Sequence, residues 1–434
     1  MNILDKGKRN NMKVVIMAGG KGTRIASING EVPKPMISIC DKPILEYQIE
    51  CLRNQGLTDI ILIVGYLGDV IKKHFGNGKE FGVYIEYIWE ETPLGTAGAL
   101  YFLRDVIEED FFLINGDIIF DVDLHRLQNA HENNGGLATI LTHPNSHPYD
   151  SGIIIANHYG RVVKWLTKEE ERIWYKNRVN AGIHIFSPEI LQRFDKLEKK
   201  DLDRDILKPL IAEGKLFIYQ SPEYVKDMGT PERYYAVTED ICSGLVHRRN
   251  LQTKQKAVFL DRDGTINEYV GFLRNIEEMK LLDGASEAIK LLNQSGYLTI
   301  VVTNQPVIAR GEVTCEELEE IHNKMETLLG NAGAYIDDLF YCPHHPDKGF
   351  EGERQELKVD CDCRKPKPGM LLEAAIKYNI DLSESWMIGD SENDILAGKT
   401  AGCRVAFIGE GYESEIPCYM NLLSCVQDIL NKEK

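Results

Sequence analysis

Long apolar runs are missing from this chain. No stretch approaches the length needed to cross a bilayer, so a membrane-embedded function is not expected. Excess positive charge is missing too. Against 67 Asp+Glu stand 50 Lys+Arg, giving a formal net charge of -17. That balance argues against nucleic acid or an anionic membrane surface as a main partner. A small phosphorylated ligand remains compatible, because it needs only local donors and a metal. The start, Met1 to Asn11, is polar and lacks the apolar core of a signal peptide, and it reads as a dispensable extension ahead of Met12. Repeats and low-complexity tracts are absent. Ten cysteines in 434 residues, without a secretion signal, exclude a dense disulfide framework and point to reduced thiols and a cytoplasmic setting. What remains is ordinary globular composition, 43% hydrophobic and 27% charged, in a chain too long for one core.

The most informative stretch is Ala257 to Asn267. Four apolar residues, Ala257 to Leu260, predict a buried strand, and Asp261 and Asp263 follow at i and i+2. Gly264 lets the chain turn, and Thr265 is placed to cap the next element. Paired carboxylates at such a strand end suit a hard cation, or one can attack phosphorus while the other handles a proton. An acidic turn in solvent is the competing reading.

In the first half, Lys13 to Ala18 predicts a strand running into Gly19-Gly20-Lys21-Gly22-Thr23-Arg24. Glycines there let backbone amides approach phosphates, and Lys21 and Arg24 add charge. Val32-Pro33-Lys34-Pro35-Met36 fixes one lysine between prolines. Ile44 to Gln55 has helical periodicity and ends at Gly56, and Asp59 to Val64 is a strand. Pro93 to Gly98 is a small-residue loop expected to open a helix. Phe111 to Ile114 is a strand ending in Asn115-Gly116-Asp117. The run Glu169 to Arg172 reads as a solvated helix face, and His143 and His147 as loop residues.

The ordered strings AGGKGTR, VPKPM, PLGTAGAL, NGD, NAGIHIF and DMGTPERY resemble the sugar-1-phosphate nucleotidyltransferases over residues 12 to 240. The resemblance implies attack of a sugar 1-phosphate oxygen on the α-phosphorus of a nucleoside triphosphate. It implies that Gly19, Gly20, Gly22 and Thr23 cradle the nucleotide phosphates, Arg24 holds the triphosphate and Lys34 neutralises charge at the α-phosphorus. Asp117 and Asp227 match the family's Mg²⁺ carboxylates, and Gly95 its base contact. Gly152, Lys168 and Asn180 fall in its sugar-phosphate region. Asn180 also reads as a residue that satisfies buried backbone.

In the second half, the strand from Tyr297 to Val302 leads to Thr303-Asn304-Gln305. Arg364-Lys365-Pro366 precedes a helix from Met370 to Tyr378, and Trp386 to Ile388 leads to Gly389-Asp390. This set resembles the haloacid dehalogenase superfamily. The implied roles are Asp261 as nucleophile, Asp263 as general acid and base, and Thr303 and Lys365 on the phosphoryl oxygens. Asp261, the Asp263 carbonyl and Asp390 would hold Mg²⁺, while Asn304, Gln305 and Arg364 contact substrate. Asp394 reads either as a water-mediated ligand or as a helix-capping acid.

Cys342-Pro343-His344 and Cys361-Asp362-Cys363 form a Cys₃His set suited to a closed structural Zn²⁺. His345 is expected to pack or face solvent, and Cys315 and Cys403 to pack. Together with the string IARG from Ile308 and the form CPHHP, the loop resembles the heptose 1,7-bisphosphate phosphatases, with the histidinol-phosphate phosphatases as near relatives. Ser391 departs from that pattern, which commonly has lysine there. With no large insertion to act as a cap, the zinc loop and Tyr269 to Phe272 are expected to shape the pocket.

The expected architecture is α/β. A Rossmann-like nucleotidyltransferase domain spans 12–241, a linker 242–255, and a haloacid dehalogenase-like Rossmannoid phosphatase domain with a zinc loop 256–434. The product of a heptose bisphosphatase is a heptose 1-phosphate, the substrate class of the first domain. The joint expectation is therefore a GDP-heptose-forming bifunctional enzyme acting on small molecules, with homo-oligomerisation left open. CTP, UTP or ATP with another sugar 1-phosphate, beside a different small-molecule phosphatase, is the alternative. A catalytically silent domain is disfavoured because every required acid and lysine is present.

Overall fold

The computed structural model describes residues 12–20, 32–411 and 415–432. The leader and Lys21, Gly22, Thr23 and Arg24 lie outside the described residues. Contacts divide the chain into two units. One is made of the residues up to Thr142, Ile154–Trp165 and Asn180–Asn250, and the other of His143–Ile153, Leu166–Val179 and everything from Leu251.

Among its described residues, the first unit is built on a 9-stranded sheet. Its centre is parallel, with Val14–Met17 between Asp59–Val64 and Phe111–Asn115, and Tyr84–Trp89 beyond Asp59–Val64. Parallel strands are covered on both faces, which explains their continuous apolar runs. Val14 and Ile16 join one core cluster with Ile60 and Leu62, while Val15 joins the opposite one with Ile61 and Ile63. Each fully buried Val or Ile contributes roughly 1.5–3 kcal/mol. The run from Val14 to Ile16 is therefore specified by its face-to-face packing as much as by its strand pairing. Val179–Phe186 runs antiparallel beside Phe111–Asn115, with Ile183 opposite Ile114, so Asn180 falls on the edge that carries Asp117.

Among its described residues, the second unit carries a 6-stranded sheet in which every pairing is parallel. The order is Asp338–Cys342, Leu298–Asn304, Ala257–Leu260, Trp386–Gly389, Arg404–Ile408, Cys418–Tyr419. The chain's order reverses between Ala257–Leu260 and Trp386–Gly389. Ligands of open α/β sheets bind beyond the carboxyl ends of strands at such a switch point. Asp261 and Asp390 follow those two strands directly.

Three expected local structures come out differently. Gly98–Leu103 is a 3₁₀ rather than an α-helical stretch. Glu169 to Arg172 is an exposed turn. The Glu170 carboxylate accepts from Thr167 N–H, and Arg172 Nε donates to Thr167 O, so side chains bond nearby backbone instead of a helix forming. Thr265 is buried, its Oγ1 has no partner among the described residues, and the chain there loops back to Arg262 O rather than opening a helix. The stretch 242–255 holds a short helix, Leu245–Arg248, and Arg249, Asn250, Leu251 and Gln255 are all buried.

Within the second unit, Leu166–Val179 lies along the helix Cys315–Asn331, which Thr314 and Glu317 cap reciprocally. Tyr175 N–H donates to Thr327 Oγ1 at 2.9 Å, and Asn177 N–H to Glu326 Oε2 at 2.9 Å. Arg178, 1% exposed, reaches Glu326 at 3.4 Å and donates to Asp337 O at 3.3 Å. Helix side chains thus satisfy backbone groups that have no strand neighbour. Glu326→Ala strands the Asn177 N–H and removes the nearer of the two carboxylates beside the buried Arg178 guanidinium. It should cost about 3 kcal/mol, read as a lower midpoint of the second unit's urea transition, and an unchanged midpoint would contradict this.

Candidate active sites

The switch point of the second unit gathers its charged groups around Lys365. Its Nζ donates to Asp261 Oδ1 at 2.6 Å, Asp394 Oδ1 at 2.5 Å and Val302 O at 2.7 Å, satisfying all three ammonium protons. Asn304 holds the Lys365 backbone from both sides, accepting from its N–H and donating to its carbonyl, each at 3.0 Å. Asp394 is fully buried. It completes a capping box with Ser391, whose Oγ donates to Asp394 Oδ2 at 2.6 Å. Carboxylate oxygens of Asp261, Asp390 and Asp394 lie within 4.8 Å of one another, a donor set suited to a hard divalent cation.

The Asp263 carboxylate is held elsewhere. Arg262, 0% exposed, donates to both its oxygens at 2.9 and 2.8 Å, Asn267 Nδ2 to Oδ1 at 3.0 Å and Gln305 Nε2 to Oδ2 at 2.9 Å. Gln305 also donates to Thr303 Oγ1 at 2.8 Å. Sequence reasoning does not give Arg262 and Gln305 these parts. For Arg262 the only signal is alternation, which turns the residue between two site aspartates inward, where a charge must be paired.

These environments separate the acids. Burial pushes Asp261 up to about 7, with Lys365 opposing and Asp394 adding to the rise. Burial, then the Asp394 charge, raises Asp390 to about 6. Burial also disfavours Asp263 ionisation, but Arg262, Asn267 and Gln305 outweigh it and hold the carboxyl below its ordinary value.

A cavity of ≈ 210 Å³ opens over these groups, lined also by Tyr269, Phe272 and Arg364. Arg310 stacks on Phe272 at 4.0 Å and on Phe350 at 4.5 Å. Arg364 donates to His344 O at 3.2 Å, which links the rim to the cysteine loop. There, Cys342, Cys361 and Cys363 sulfurs lie 3.2–3.5 Å apart, and His344 Nδ1 is 3.3 Å from Cys363 Sγ. Zn–S bonds near 2.3 Å give tetrahedral edges of about 3.7 Å, so the set fits one ion. The hydrogen bond with Cys342, opposed by burial and reinforced by Cys361 and His344, lowers the Cys363 thiol. His345 and Cys403 are buried, and Cys315 is exposed at its helix start.

In the first unit, the antiparallel pairing of Tyr224–Asp227 with Ile118–Asp121 sets Asp227 opposite Ile118, beside Asp117, and Met228 N–H donates to Asp117 O at 3.0 Å. Lys34 Nζ is 2.5 Å from Asp117 Oδ2, and Lys34 is 8% exposed. Burial raises Asp227, but Arg233 at 2.6 Å, then Gly229 N–H and the Lys34 charge, lower it below its ordinary value. Fully buried Gln48 donates to Asn115 O at 2.9 Å and Ile118 O at 2.8 Å, fixing the turn that carries Asp117. Gly19 and Gly20 follow the central strand on this edge. Gly95 has φ +81, and a Cβ there would meet Lys200 O at 2.4 Å. Asn180 Oδ1 accepts from Gly182 N–H at 2.9 Å, so it does satisfy backbone. Gly152 and Lys168 belong to segments grouped with the second unit.

The nucleotidyl transferase family model matches residues 13–244, and that of the haloacid dehalogenase-like hydrolases residues 209–402. The D-glycero-beta-D-manno-heptose-1,7-bisphosphate 7-phosphatase of Pasteurella multocida is 45% identical over 34% of this chain and 77% of its own length. The chain belongs to the nucleotidyl transferases, joined to a haloacid dehalogenase-like hydrolase. Both families are enzymes. Mannose-1-phosphate guanyltransferase beta-B of Xenopus laevis is 33% identical over 51% of this chain. The chain spans 62% of the length of that relative. A solved structure described as HddC from Yersinia pseudotuberculosis is 28% identical over 53% of this chain and 99% of its own, with a TM-score of 0.47. Among the described residues, no helix is long and apolar enough to cross a membrane.

Gly264 has φ +80, and a Cβ there would fall 1.9 Å from Asp390 Oδ2. Gly264→Ala should displace Asp390 and weaken Mg²⁺ binding at least tenfold by calorimetric titration. Unchanged binding would remove Asp390 from the cation site. Since Asp261 and Asp390 are raised to about 7 and 6, protons compete with a cation for them. Mg²⁺ affinity should therefore fall as pH drops from 8 to 6, and a flat profile would contradict the assignment.

Proposed function

We propose that the chain carries two catalytic modules, 12–241 and 256–434, connected by 242–255, that act in succession on one sugar. The second removes the 7-phosphate of D-glycero-D-manno-heptose 1,7-bisphosphate. The first then joins the heptose 1-phosphate to the guanylyl group of GTP, releasing pyrophosphate and giving a GDP-heptose. The observation that carries the reading is the Asp261, Lys365, Asp394 and Asp390 constellation at the switch point, in a chain 45% identical over 34% of its length to a heptose bisphosphate phosphatase. The guanylyl part is supported by the likeness of the first half to a mannose-1-phosphate guanyltransferase.

In the phosphatase, Asp261 attacks phosphorus to form an aspartyl phosphate while the sugar oxygen leaves. Lys365 and Thr303 neutralise and orient the phosphoryl oxygens. Asp263 gives a proton to the leaving oxygen and takes one from the water that opens the acyl phosphate. Its lowered pKa suits the second task. The first requires Asp263 to carry a proton when substrate is bound. Asp261, Asp390 and the Asp263 carbonyl would hold Mg²⁺, which supplies charge neutralisation at the transferring group. Arg364 lines the cavity and Arg310 stacks on Phe272, which also lines it, so two cations lie near a substrate with a second phosphate.

In the nucleotidyltransferase, Gly19, Gly20, Gly22, Thr23 and Arg24 hold the triphosphate, and Gly95 lies against the base. Lys34 stabilises charge at the α-phosphorus. Asp117 and Asp227 would hold Mg²⁺, which screens the triphosphate. Asn180, on the edge that carries Asp117, is assigned to the sugar phosphate. Cys342, His344, Cys361 and Cys363 would hold Zn²⁺, which fixes a loop with little core of its own. The partners are small molecules in the cytoplasm.

Asp261→Asn should abolish phosphate release from the bisphosphate and leave GDP-heptose formation from heptose 1-phosphate intact, and Asp117→Asn should do the reverse. If each variant kept both activities, the assignments would be wrong. Native mass spectrometry of the intact protein should show one Zn²⁺ that Cys361→Ser lacks, and the variant should lower the melting temperature of the phosphatase module. Equal metal content would refute the cluster's role.

A further inference from the structure

His322 is a buried titratable group that the phosphatase chemistry leaves unused. It sits in the helix Cys315–Asn331, 6% exposed, and its Nε2 lies 3.0 Å from Arg262 Nη1. Arg262 turns its other edge to Asp263. Its Nε donates to Asp263 Oδ1 at 3.2 Å, and its Nη2 to Oδ1 at 2.9 Å and Oδ2 at 2.8 Å. The guanidinium is thus gripped from two sides, by an imidazole on the helix and by the carboxylate that handles protons in the reaction. A guanidinium only donates, so Nε2 must present its lone pair and the ring proton must sit on Nδ1. Burial, then the charges of Arg262 and Lys176, keeps the ring neutral.

A neutral acceptor is the right chemistry for that place. A carboxylate on Nη1 would compete with Asp263 for the charge of Arg262, whereas an imidazole fixes the guanidinium and leaves its charge to Asp263. The ring is itself held rigidly. Ile321 and Met325, beside it on the helix, belong to the core of the module. Tyr341, paired with Thr303 in the sheet, packs its ring at 5.7 Å from that of His322. Asn267 and Gln305 also bond the Asp263 carboxylate, so loosening Arg262 should misplace that carboxylate rather than free it.

We propose that His322 is a positioning residue of the phosphatase: its Nε2 fixes the Arg262 guanidinium, and Arg262 in turn sets the angle of the Asp263 carboxylate toward the leaving oxygen and the attacking water. This rests on the phosphatase reading of the second module and on the part of Asp263 in it. Proton transfer depends steeply on the orientation of the acid or base, so a small rotation of Asp263 slows the reaction without loosening the substrate.

The test uses the full chain with Mg²⁺ and D-glycero-D-manno-heptose 1,7-bisphosphate and follows phosphate release. His322→Leu should lower kcat at least tenfold while KM stays within about threefold, and Mg²⁺ affinity by calorimetric titration should not change. His322→Gln, whose Oε1 takes the place of Nε2, should bring kcat back to within about threefold of the wild type. An unchanged kcat in His322→Leu overturns the proposal. So does a KM or Mg²⁺ affinity that moves as far as kcat, the mark of a generally disturbed site, and so does a glutamine variant that recovers nothing. If His322→Leu does not fold, the ring itself decides. NMR of the wild type labelled with ¹⁵N-histidine, assigned by the signal missing from His322→Gln, should show Nε2 without a proton, and a protonated Nε2 overturns the proposal. A wild type that releases no phosphate defeats the phosphatase reading itself, whereas an active wild type with an indifferent His322→Leu defeats only the role of His322.

Discussion

One buried ammonium organises the phosphatase module. Lys365 Nζ bonds a carboxylate at the end of the first strand, a carbonyl on the second, and an acid in the helix after the fourth. Three elements that meet at the reversal of strand order are thereby fastened to one point. Buried ion pairs persist only when their donors and acceptors are all matched, and here the three protons are. The acids outnumber the lysine, since Asp390 lies in the same cluster. That surplus of negative charge adds to burial in raising Asp261 and Asp390, and it makes the group a cation site. Asn304, by clamping the Lys365 backbone, sets the position of the whole cluster without joining its charges.

The first unit repeats the same arrangement with other parts. Lys34, like Lys365, precedes a proline, which restricts the backbone of the residue before it. It too is buried against a carboxylate at a parallel strand's end. Two unrelated sheets thus place a fixed cation among strand-end acids, and both chemistries need phosphoryl charge neutralised in a set geometry.

Much of this is legible in the sequence because it is local. Buried parallel strands announce themselves as short apolar runs, and Asp, Gly or Thr at their ends marks the ligand edge. The Asp261, Thr303 and Asp390 positions, and the Cys₃His loop, follow from such spacing. The illegible part depends on register between distant segments. Asp227 meets Asp117 only through a pairing across many residues, and the roles of Gln48 and Arg262 depend on neighbours that no window of sequence contains. The grouping of His143–Ile153 and Leu166–Val179 with the second unit is of the same kind, since backbone groups of the latter are satisfied by a helix far along the chain.

The central claim is that two activities on one chain act in a fixed order. Time-resolved ³¹P NMR of the protein with Mg²⁺, heptose 1,7-bisphosphate and GTP tests it in a single tube. Loss of the 7-phosphate signal with release of phosphate should come first, followed by pyrophosphate and the paired resonances of a GDP-sugar. Pyrophosphate appearing while the 7-phosphate signal is intact, or phosphate release with no nucleotide sugar, would contradict it.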